Sequence, residues 1–346
     1  MKKIQMILVV LAAMMVLTAC EKVSPIGVLV SGTGVEDRVK MSHLYFQQHK
    51  GEGHFFDISG KDEYSFIIGA DSHMTTDDGR MREMLQNGLD HDDLLYAHLG
   101  DMADTKPEYY INLENVISEY KWKFARKYFE ELFLGNDESV EEKDNPDFYM
   151  YMDSLTGMVY SVDDVPMPFF PVVGNHDITH NGWAQWSNIF HSSFYEVLVQ
   201  IKSEPLTLDR FIFLDTANGT LGEEQVNLIE EDGYALREYL ETNIRNTFVF
   251  SHTNIFRPSS LQFASTFARE ETFFLLNQFH KWDATIEFCG HVHKWDEQVV
   301  DNVRYITLDS MSERNSPNPG DYLLRVHVKA NGELTCERVR MNYTKK

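Results

Sequence analysis

The chain has 346 residues, of which 43% are hydrophobic and 13% aromatic, enough to build the core of one large domain or two ordinary ones. This composition excludes a chain that is disordered throughout, and the mean hydropathy of −0.35 excludes a protein with many membrane spans. With 31 Lys and Arg against 54 Asp and Glu, the formal net charge is −23, so long nucleic acids are not expected as partners.

The first residues have the pattern of an export signal. Two lysines precede an apolar stretch from Ile4 to Leu17, which is too short for a comfortable membrane span. Leu17-Thr18-Ala19-Cys20 then resembles the lipobox of bacterial lipoproteins, in which the peptide is cut before the cysteine and a lipid joins its thiol. We expect a signal peptide over 1–19 and a lipid-anchored, exported protein on the periplasmic or cell-surface side of a membrane. A plain secretory signal is the alternative.

Residues 20–60 show weak periodicity and mixed polarity, which predicts a tether and a short irregular lead-in to a domain spanning 61–346. The pattern sharpens at Tyr64–Gly69, a short apolar run typical of a buried strand. A helix is predicted over Gly79–Leu89 and a second buried strand over Leu94–Leu99. The order strand, helix, strand indicates a parallel α/β unit.

Residues 105–165 interrupt this order and are predicted to be an insertion rather than a separate domain. Tyr109–Leu134 is expected to be helical, with aromatic and charged residues interleaved. The acidic run from Asp137 to Asp147 is typical of a solvated face, so we assign it no site.

Beyond the insertion, a helix is predicted over Glu223–Thr242 and a turn at Asn331-Gly332. Strands are expected at Pro168–Val173, Phe211–Leu214, Phe248–Ser251, Thr285–Cys289, Arg304–Leu308, Tyr322–Val328 and Leu334–Val339. Cys289 and Cys336 lie in these apolar stretches. An exported protein could bridge them, but two cysteines make no disulfide framework, and we expect two buried free thiols.

Five short polar motifs each follow an apolar strand candidate. They are Asp71-Ser72-His73, Gly100-Asp101-Met102-Ala103-Asp104, Gly174-Asn175-His176-Asp177, Ser251-His252 and Gly290-His291-Val292-His293. In open α/β sheets, ligand sites collect at the carboxyl ends of strands. Imidazole and oxygen ligands without thiolate suit first-row divalent metals. The sequence therefore predicts a metal site at this end of the sheet.

The spacing within the motifs leads to two structural expectations. Asp71 and His73, like His291 and His293, stand two residues apart, and along a strand such residues share a face. Glycines at 100, 174 and 290 would let the chain turn tightly where a side chain would crowd the site.

Taken together, the motifs resemble the calcineurin-like metallophosphoesterase superfamily, whose pattern is D-x-H, G-D-x-x-D, G-N-H-D/E, a single H and G-H-x-H, in that order. All five blocks are present between residues 71 and 293, and the match covers 61–340. The resemblance implies an α/β fold, a four-layer sandwich of two mixed β-sheets flanked by helices. It also implies an enzyme that hydrolyses phosphoric esters with metal ions.

Carried over residue by residue, the resemblance implies two divalent or trivalent metal ions, such as Mn, Fe or Zn. Asp71, His73 and His293 would hold the first ion, Asn175, His252 and His291 the second, and Asp101 would bridge both. A hydroxide between the ions would then attack phosphorus in line. His176 would stabilise charge or protonate the leaving oxygen, and Asp104 would orient its imidazole. A purely structural role is the alternative for both.

The substrate contacts are less closely defined by the pattern. Arg257, His180 and Arg314 each follow a motif or strand and are candidate substrate-binding residues, with ordinary surface positions as the alternative. Trp183 and Trp186 are expected in the core rather than in a pocket wall.

Two departures from the superfamily pattern bear on the substrate, a small phosphate ester. Thr105-Lys106 stands where its protein phosphatases have Arg-Gly, which counts against phosphoproteins. Asp177 in place of Glu resembles the branch with cyclic-nucleotide phosphodiesterases, although His252-Thr253-Asn254 lacks the His-x-Pro often found there. A phosphodiester is the leading expectation. A nucleotide or sugar phosphate monoester is the runner-up, and a non-catalytic binding lipoprotein comes third. Metal identity and oligomeric state stay open.

Overall fold

The computed structural model describes residues 34–49, 54–61, 63–104, 106–129, 150–152, 159–161, 167–231, 243–256, 267–312 and 322–343. The predicted signal peptide, Cys20, Arg257 and Arg314 lie outside these ranges. Within them, no helix is long and apolar enough to cross a membrane.

Six helices and fourteen strands are formed by the described residues. The helices are α1 Val35–His49, α2 Gly79–Asp90, α3 Pro107–Phe129, α4 Gly182–Phe190, α5 Gly222–Glu230 and α6 Arg269–Lys281. The strands are β1 Phe55–Asp57, β2 Tyr64–Gly69, β3 Leu95–His98, β4 Met150–Met152, β5 Val159–Ser161, β6 Phe169–Pro171, β7 Tyr195–Ser203, β8 Leu206–Phe213, β9 Asn243–Phe250, β10 Ala284–Cys289, β11 Asp296–Val300, β12 Val303–Thr307, β13 Tyr322–Val328 and β14 Leu334–Arg340.

The strands form two mixed sheets and a hairpin of β4 with β5. Sheet A has the order β1-β7-β8-β9-β10-β12-β11, and sheet B has the order β14-β13-β2-β3-β6. Strands β8, β9, β10 and β12 run parallel in sheet A, as do β2, β3 and β6 in sheet B. The loops that follow these strands therefore gather at one end of the molecule, which we call the carboxyl end.

Three apolar clusters give the molecule four layers. The central cluster lies between the sheets, where Phe66 of β2 packs against Phe211 of β8 with ring centroids 5.2 Å apart. A second cluster packs sheet B against α2, α3 and α4, and a third packs sheet A against α1, α5 and α6. The predicted α/β fold, a four-layer sandwich of two mixed sheets flanked by helices, is therefore confirmed.

Most predicted strands are found, with differences at their ends. β13 has the predicted bounds, whereas β8 and β9 each begin five residues earlier than expected. Their first residues mix polar and apolar types, and the polar ones pair between strands: Asp209 of β8 accepts hydrogen bonds from Arg245 of β9 and from Tyr64 of β2, at 2.6 and 2.7 Å. This network joins the two sheets at the end opposite the carboxyl end. β7 was not among the predicted strands.

The predicted helices are found over part of their length. α3 covers most of the helix expected at Tyr109–Leu134, and α5 covers the first half of the one expected at Glu223–Thr242. Residues 130–134 and 232–242 lie outside the described ranges.

The prediction of an irregular lead-in before residue 61 is wrong, because helix α1 and strand β1 form there. The buried positions of α1 are 35, 38, 39, 42 and 46, which have helical spacing. Two of them are the polar residues Arg38 and Ser42, so hydrophobicity alone conceals the helix. Nε and Nη2 of Arg38 each donate to the Asp215 carboxylate at 2.8 Å, and both side chains are fully buried. The folded domain therefore includes α1.

Cysteines and tryptophans follow the predictions with one exception. Cys289 and Cys336 are both free, but Cys336 is half-buried rather than buried because it lies on the edge strand β14. Trp183 and Trp186 stack at 5.3 Å in the core beneath α3 and are 4% and 0% exposed.

Candidate metal centre

The five motifs meet at the carboxyl end, in the loops that follow β2, β3, β6, β9 and β10. The expected strand alternation is nevertheless wrong, because β2 ends at Gly69 and β10 ends at Cys289, before the ligand candidates. Asp71, His73, Asp101, His291 and His293 all have positive φ, between 41° and 66°. Such conformations are strained for residues other than glycine and persist where the surroundings enforce them.

Backbone hydrogen bonds hold the first two motif loops side by side. The amide N of Asp71 donates to the carbonyl O of Gly100 at 3.1 Å, and that of His73 donates to Asp101 at 2.9 Å. The hydroxyl of Ser310, in the loop after β12, donates to the carbonyl of Asp71 at 2.8 Å. These contacts fix the turns that direct Asp71, His73 and Asp101 toward one point.

The prediction that motif glycines avoid crowding is confirmed by two close approaches. A Cβ on Gly174 would lie 2.2 Å from the amide N of Asp101, and one on Gly290 would lie 2.6 Å from Oδ2 of Asp71. Any side chain at either position would displace a ligand candidate.

The first group of candidate ligands is Asp71, His73, Asp101 and His293, whose ligand atoms all lie within 4.8 Å of one another. The Nε2 atoms of His73 and His293 are 3.3 Å apart, and Nε2 of His293 is 3.4 Å from Oδ1 of Asp71. Burial lowers the pKa of His73 to about 4, which keeps its imidazole neutral and available as a ligand. Burial alone would raise the pKa of Asp71, but nearby histidines, His293 above all, hold it below its usual value.

The second group combines Asp101, His252 and His291, again within 4.8 Å. Nε2 of His252 lies 3.0 Å from Oδ1 of Asn175, 3.1 Å from Nδ1 of His291 and 3.5 Å from Oδ2 of Asp101. Burial alone would raise the pKa of Asp101, yet the surrounding histidines, led by His252, keep it well below the usual range. The predicted ligand candidates are thus brought together in two groups that share Asp101.

The hydrogen bond of His252 tests whether these residues fit a cation. Nδ1 of His252 lies 2.7 Å from the carbonyl O of Leu99, and a carbonyl can only accept, so Nδ1 carries the proton. Nε2 is then the ring nitrogen that faces the oxygens of Asn175 and Asp101, at 3.0 and 3.5 Å. An imidazole nitrogen, an amide oxygen and a carboxylate oxygen that converge in this way are ligand types that first-row metal ions accept. The donor set therefore fits metal ions.

His176 lies at the edge of both groups. Its Nε2 is 4.0 Å from Oδ2 of Asp101 and its Nδ1 is 3.7 Å from Oδ1 of Asp104, with the side chain 18% exposed. Burial would lower the pKa of His176, but the carboxylates of Asp101 and Asp104 outweigh it and raise the pKa to about 9. Without bound cations, the imidazole of His176 thus holds a proton beside the candidate ligands.

Asp177 has a structural role that the motif does not reveal. Its buried carboxylate accepts hydrogen bonds from the amide N atoms of Asp101 and Gly174, both at 2.8 Å, and of Met102 at 3.1 Å. A fourth comes from the Tyr110 hydroxyl of α3, at 2.7 Å. Asp177 therefore joins two motif loops to α3.

Thr216 is a second contributor absent from the predicted set. Its hydroxyl O accepts hydrogen bonds from the amide N atoms of His252 and Thr253, at 2.8 and 3.1 Å. The signal in the sequence is a polar pair, Asp215-Thr216, directly after an apolar strand. His180, a predicted substrate contact, is exposed and lies in neither ligand group.

Comparisons with known proteins give distant similarity to solved structures. No family model matches the sequence, and no curated protein matches it. The chain is similar to GAP50, the anchor in the inner membrane complex of Plasmodium, at 12% identity, with 82% of this chain and 90% of that chain covered and a TM-score of 0.43.

Two further similar structures come from a bacterium and a fish. The protein TT1561 of Thermus thermophilus is 11% identical over 80% of this chain and 99% of that one, with a TM-score of 0.43. A dimetal phosphatase from Danio rerio is 10% identical over 80% and 95%, with a TM-score of 0.41. At these identities and TM-scores, we draw the function from the chain's own residues.

Proposed function

We propose that the chain is a metal-dependent phosphoric ester hydrolase of the calcineurin-like metallophosphoesterase superfamily, with two metal ions. The observation that carries this proposal is the position of Asp101, whose carboxylate belongs to both ligand groups. A carboxylate has two oxygens and can serve two cations. The order of the five motifs in the sequence supports the same conclusion.

Cations bound there would supply positive charge for a phosphate and lower the pKa of a coordinated water. The chain's own contribution is to hold and orient these partners. Asp71 and Asp101 provide negative charge in a buried setting, and imidazole nitrogens of His73 and His252 would provide lone pairs to bound cations. His176 offers a proton at the edge of the site, and the Asp104 carboxylate lies 3.7 Å from Nδ1 of that ring.

A phosphodiester is the substrate class that we propose. A terminal phosphate carries more negative charge than a diester, and the superfamily's protein phosphatases meet it with Arg-Gly after the second motif. Here Lys106 is 59% exposed, and its Nζ lies 3.9 Å from Glu108 and over the ring of Tyr109, so it is engaged at the start of α3. A leaving alkoxide needs a proton, which suits the position of His176.

The experiment is a panel of small phosphodiesters, phosphomonoesters and phosphopeptides, tested on purified protein loaded with manganese, iron or zinc. We expect diesters to be cleaved fastest, and Asp101→Asn to abolish turnover as a control for contaminating activity. Faster cleavage of monoesters would show that the substrate class is a phosphomonoester. Absence of turnover with every metal would favour a binding protein.

We also propose that Cys20 carries a lipid that anchors the exported chain to a membrane. Support comes from the basic start, the apolar stretch and the small residues that precede Cys20. Cys20→Ser should release the protein from the membrane fraction or block processing. A variant that stays membrane-bound and normally processed would contradict the anchor.

A further inference from the structure

Helix α1 begins at the carboxyl end of the sandwich. Glu36 accepts hydrogen bonds from the first amide N atoms of α5, including that of Glu224 at 2.9 Å. Two residues later, Arg38 forms its buried ion pair with Asp215, the second residue after β8. Since β8 and β9 are parallel, the start of α1 lies at the same end as the candidate ligands.

The contact between α1 and the site is short. Asp215 is followed by Thr216, whose hydroxyl holds the amide N of His252 at 2.8 Å. Arg38, Asp215, Thr216 and His252 thus form a continuous chain of contacts. The start of α1 therefore lies beside the second ligand group.

The distance to the proposed anchor is limited by covalent geometry. Fourteen residues lie between Cys20 and Val35, and a chain of that length spans at most about 50 Å. That is about the diameter of a globular domain of this size. The opposite end could therefore face the bilayer only if this chain were almost fully extended, so a lipid on Cys20 favours an orientation with the carboxyl end nearer to the bilayer.

Exposed apolar side chains are found on α1 and α3, two helices whose first residues contact the loops at the carboxyl end. Met41 and Leu44 of α1 are 47% and 56% exposed, and Ile111, near the start of α3, is 55% exposed. Val292, between two candidate ligands, is 37% exposed. The other large apolar side chains exposed among the described residues are Phe273 on α6 and Val299 on β11.

We propose that the anchored domain turns its carboxyl end toward the bilayer, and that its site acts on a phosphoester carried by a membrane-embedded molecule. This inference rests on the proposed phosphoesterase function and on the lipid at Cys20. The net charge of −23 repels an anionic surface within a Debye length of about 8 Å, so a surface of zwitterionic lipids suits this orientation better.

The orientation can be measured without turnover. Single accessible thiols for a fluorescent label are placed by Lys294→Cys at the carboxyl end or by Asn331→Cys in the β13–β14 turn, both exposed. The background is Cys336→Ser, in which the remaining thiol, Cys289, is buried. The lipidated full chain is bound to phosphatidylcholine vesicles that contain an acceptor lipid. We expect stronger energy transfer from position 294 than from 331. Equal transfer, or stronger transfer from 331, would overturn the orientation.

The substrate class is tested with two diesters that release the same nitrophenolate, methyl nitrophenyl phosphate in solution and a dialkylglycerol nitrophenyl phosphate in those vesicles. The preference is the ratio of the cleavage rate of the vesicle-borne ester to that of the soluble ester. We expect this ratio to be about tenfold or more higher for the lipidated protein than for Cys20→Ser protein, because anchoring raises the local concentration of the enzyme at the vesicle. Ile111→Ser should reduce that preference, and the matched surface change Val299→Ser should not.

The outcomes separate the two proposals. Equal preference in lipidated and Cys20→Ser protein overturns the membrane-borne substrate while leaving the hydrolase intact. Cleavage of neither ester by metal-loaded protein contradicts the proposed function itself. An equal loss of preference in Ile111→Ser and Val299→Ser would show that the effect is not specific to position 111, which counts against the inference.

Discussion

His176 lies beside the candidate ligands, where its side chain can transfer a proton without binding a metal ion. It lies next to Asn175 in the chain, yet its ring nitrogens stand 3.7 and 4.0 Å from carboxylates and it is partly exposed. An imidazole in this place can protonate a leaving oxygen, and such help is typically worth about 10²–10⁴-fold in rate.

We therefore expect His176→Ala to retain both metals and to slow a diester with an alkyl leaving group by about 10²-fold or more. An activated nitrophenyl ester should be slowed less, because nitrophenolate leaves without a proton. Asp104→Asn should show the same pattern more mildly. Equal slowing of both esters with two metals retained would assign His176 to charge stabilisation, and loss of metal would make its role structural.

The sequence predicted which residues form the site but not the backbone conformations that bring them together. Residue type and position after apolar strands sufficed to select Asp71, His73, Asp101, His252, His291 and His293, which the structure brings together. The left-handed backbone at five of these residues could not be predicted, because it depends on hydrogen bonds between loops distant in sequence. The role of Asp177 was hidden for the same reason.

Among the elements, α3 is coupled to the metal loops through one hydroxyl group. Tyr110 donates to Asp177, which in turn holds the amide N atoms of Asp101 and Gly174. Removing a hydrogen bond to a buried carboxylate leaves a charge less well solvated. Residues that orient ligands in this way affect metal affinity by about 10–100-fold.

Tyr110→Phe keeps the ring and removes the hydroxyl, so we expect metal binding about tenfold weaker with the fold retained. Tyr120→Phe is the matched control, since Tyr120 is a buried residue of the same helix whose ring packs against Lys123. Titration with manganese, alongside thermal unfolding, measures both effects. Equal losses of metal affinity in the two variants would show that Tyr110 acts only through general stability.

Helix α1 and strand β7 were not predicted, and the reasons differ. α1 was missed because Arg38 and Ser42 occupy buried positions of its inner face, and their partners Asp215 and Ser193 lie far along the chain. β7, in contrast, carries a readable signal, since Tyr195, Val197, Val199 and Ile201 alternate along it and face the central cluster.

For the whole molecule, Glu287 links stability to pH. Its carboxyl group is buried in sheet A, where the Ser251 hydroxyl lies 2.6 Å away. Burial raises the pKa of Glu287 from 4.5 to about 8, against the effect of its hydrogen bonds to Ser251 and Cys289. The unfolded chain then loses this proton near pH 4.5 while the folded chain keeps it. The group's contribution to stability is complete below pH 4.5 and is lost as pH rises toward 8.

Glu287→Gln removes this titration, so the variant should gain stability relative to the wild type between pH 5 and pH 8.5, by at most about 5 kcal/mol. Urea unfolding of metal-free protein at both pH values measures the difference. Glu230→Gln, at an exposed position of α5, should show no such change. A Glu287→Gln difference that is constant with pH would mean that this carboxyl group is ionised in the folded protein.

The central claim is that two metal ions share Asp101, and metal content measured together with affinity tests it most directly. Wild-type protein equilibrated with manganese or zinc should bind two ions per chain. Asp101→Asn should weaken both sites together, whereas His73→Ala should mainly weaken the first and His252→Ala the second. A fully active preparation that binds a single ion, or an Asp101→Asn variant that loses only one of two, would contradict the account.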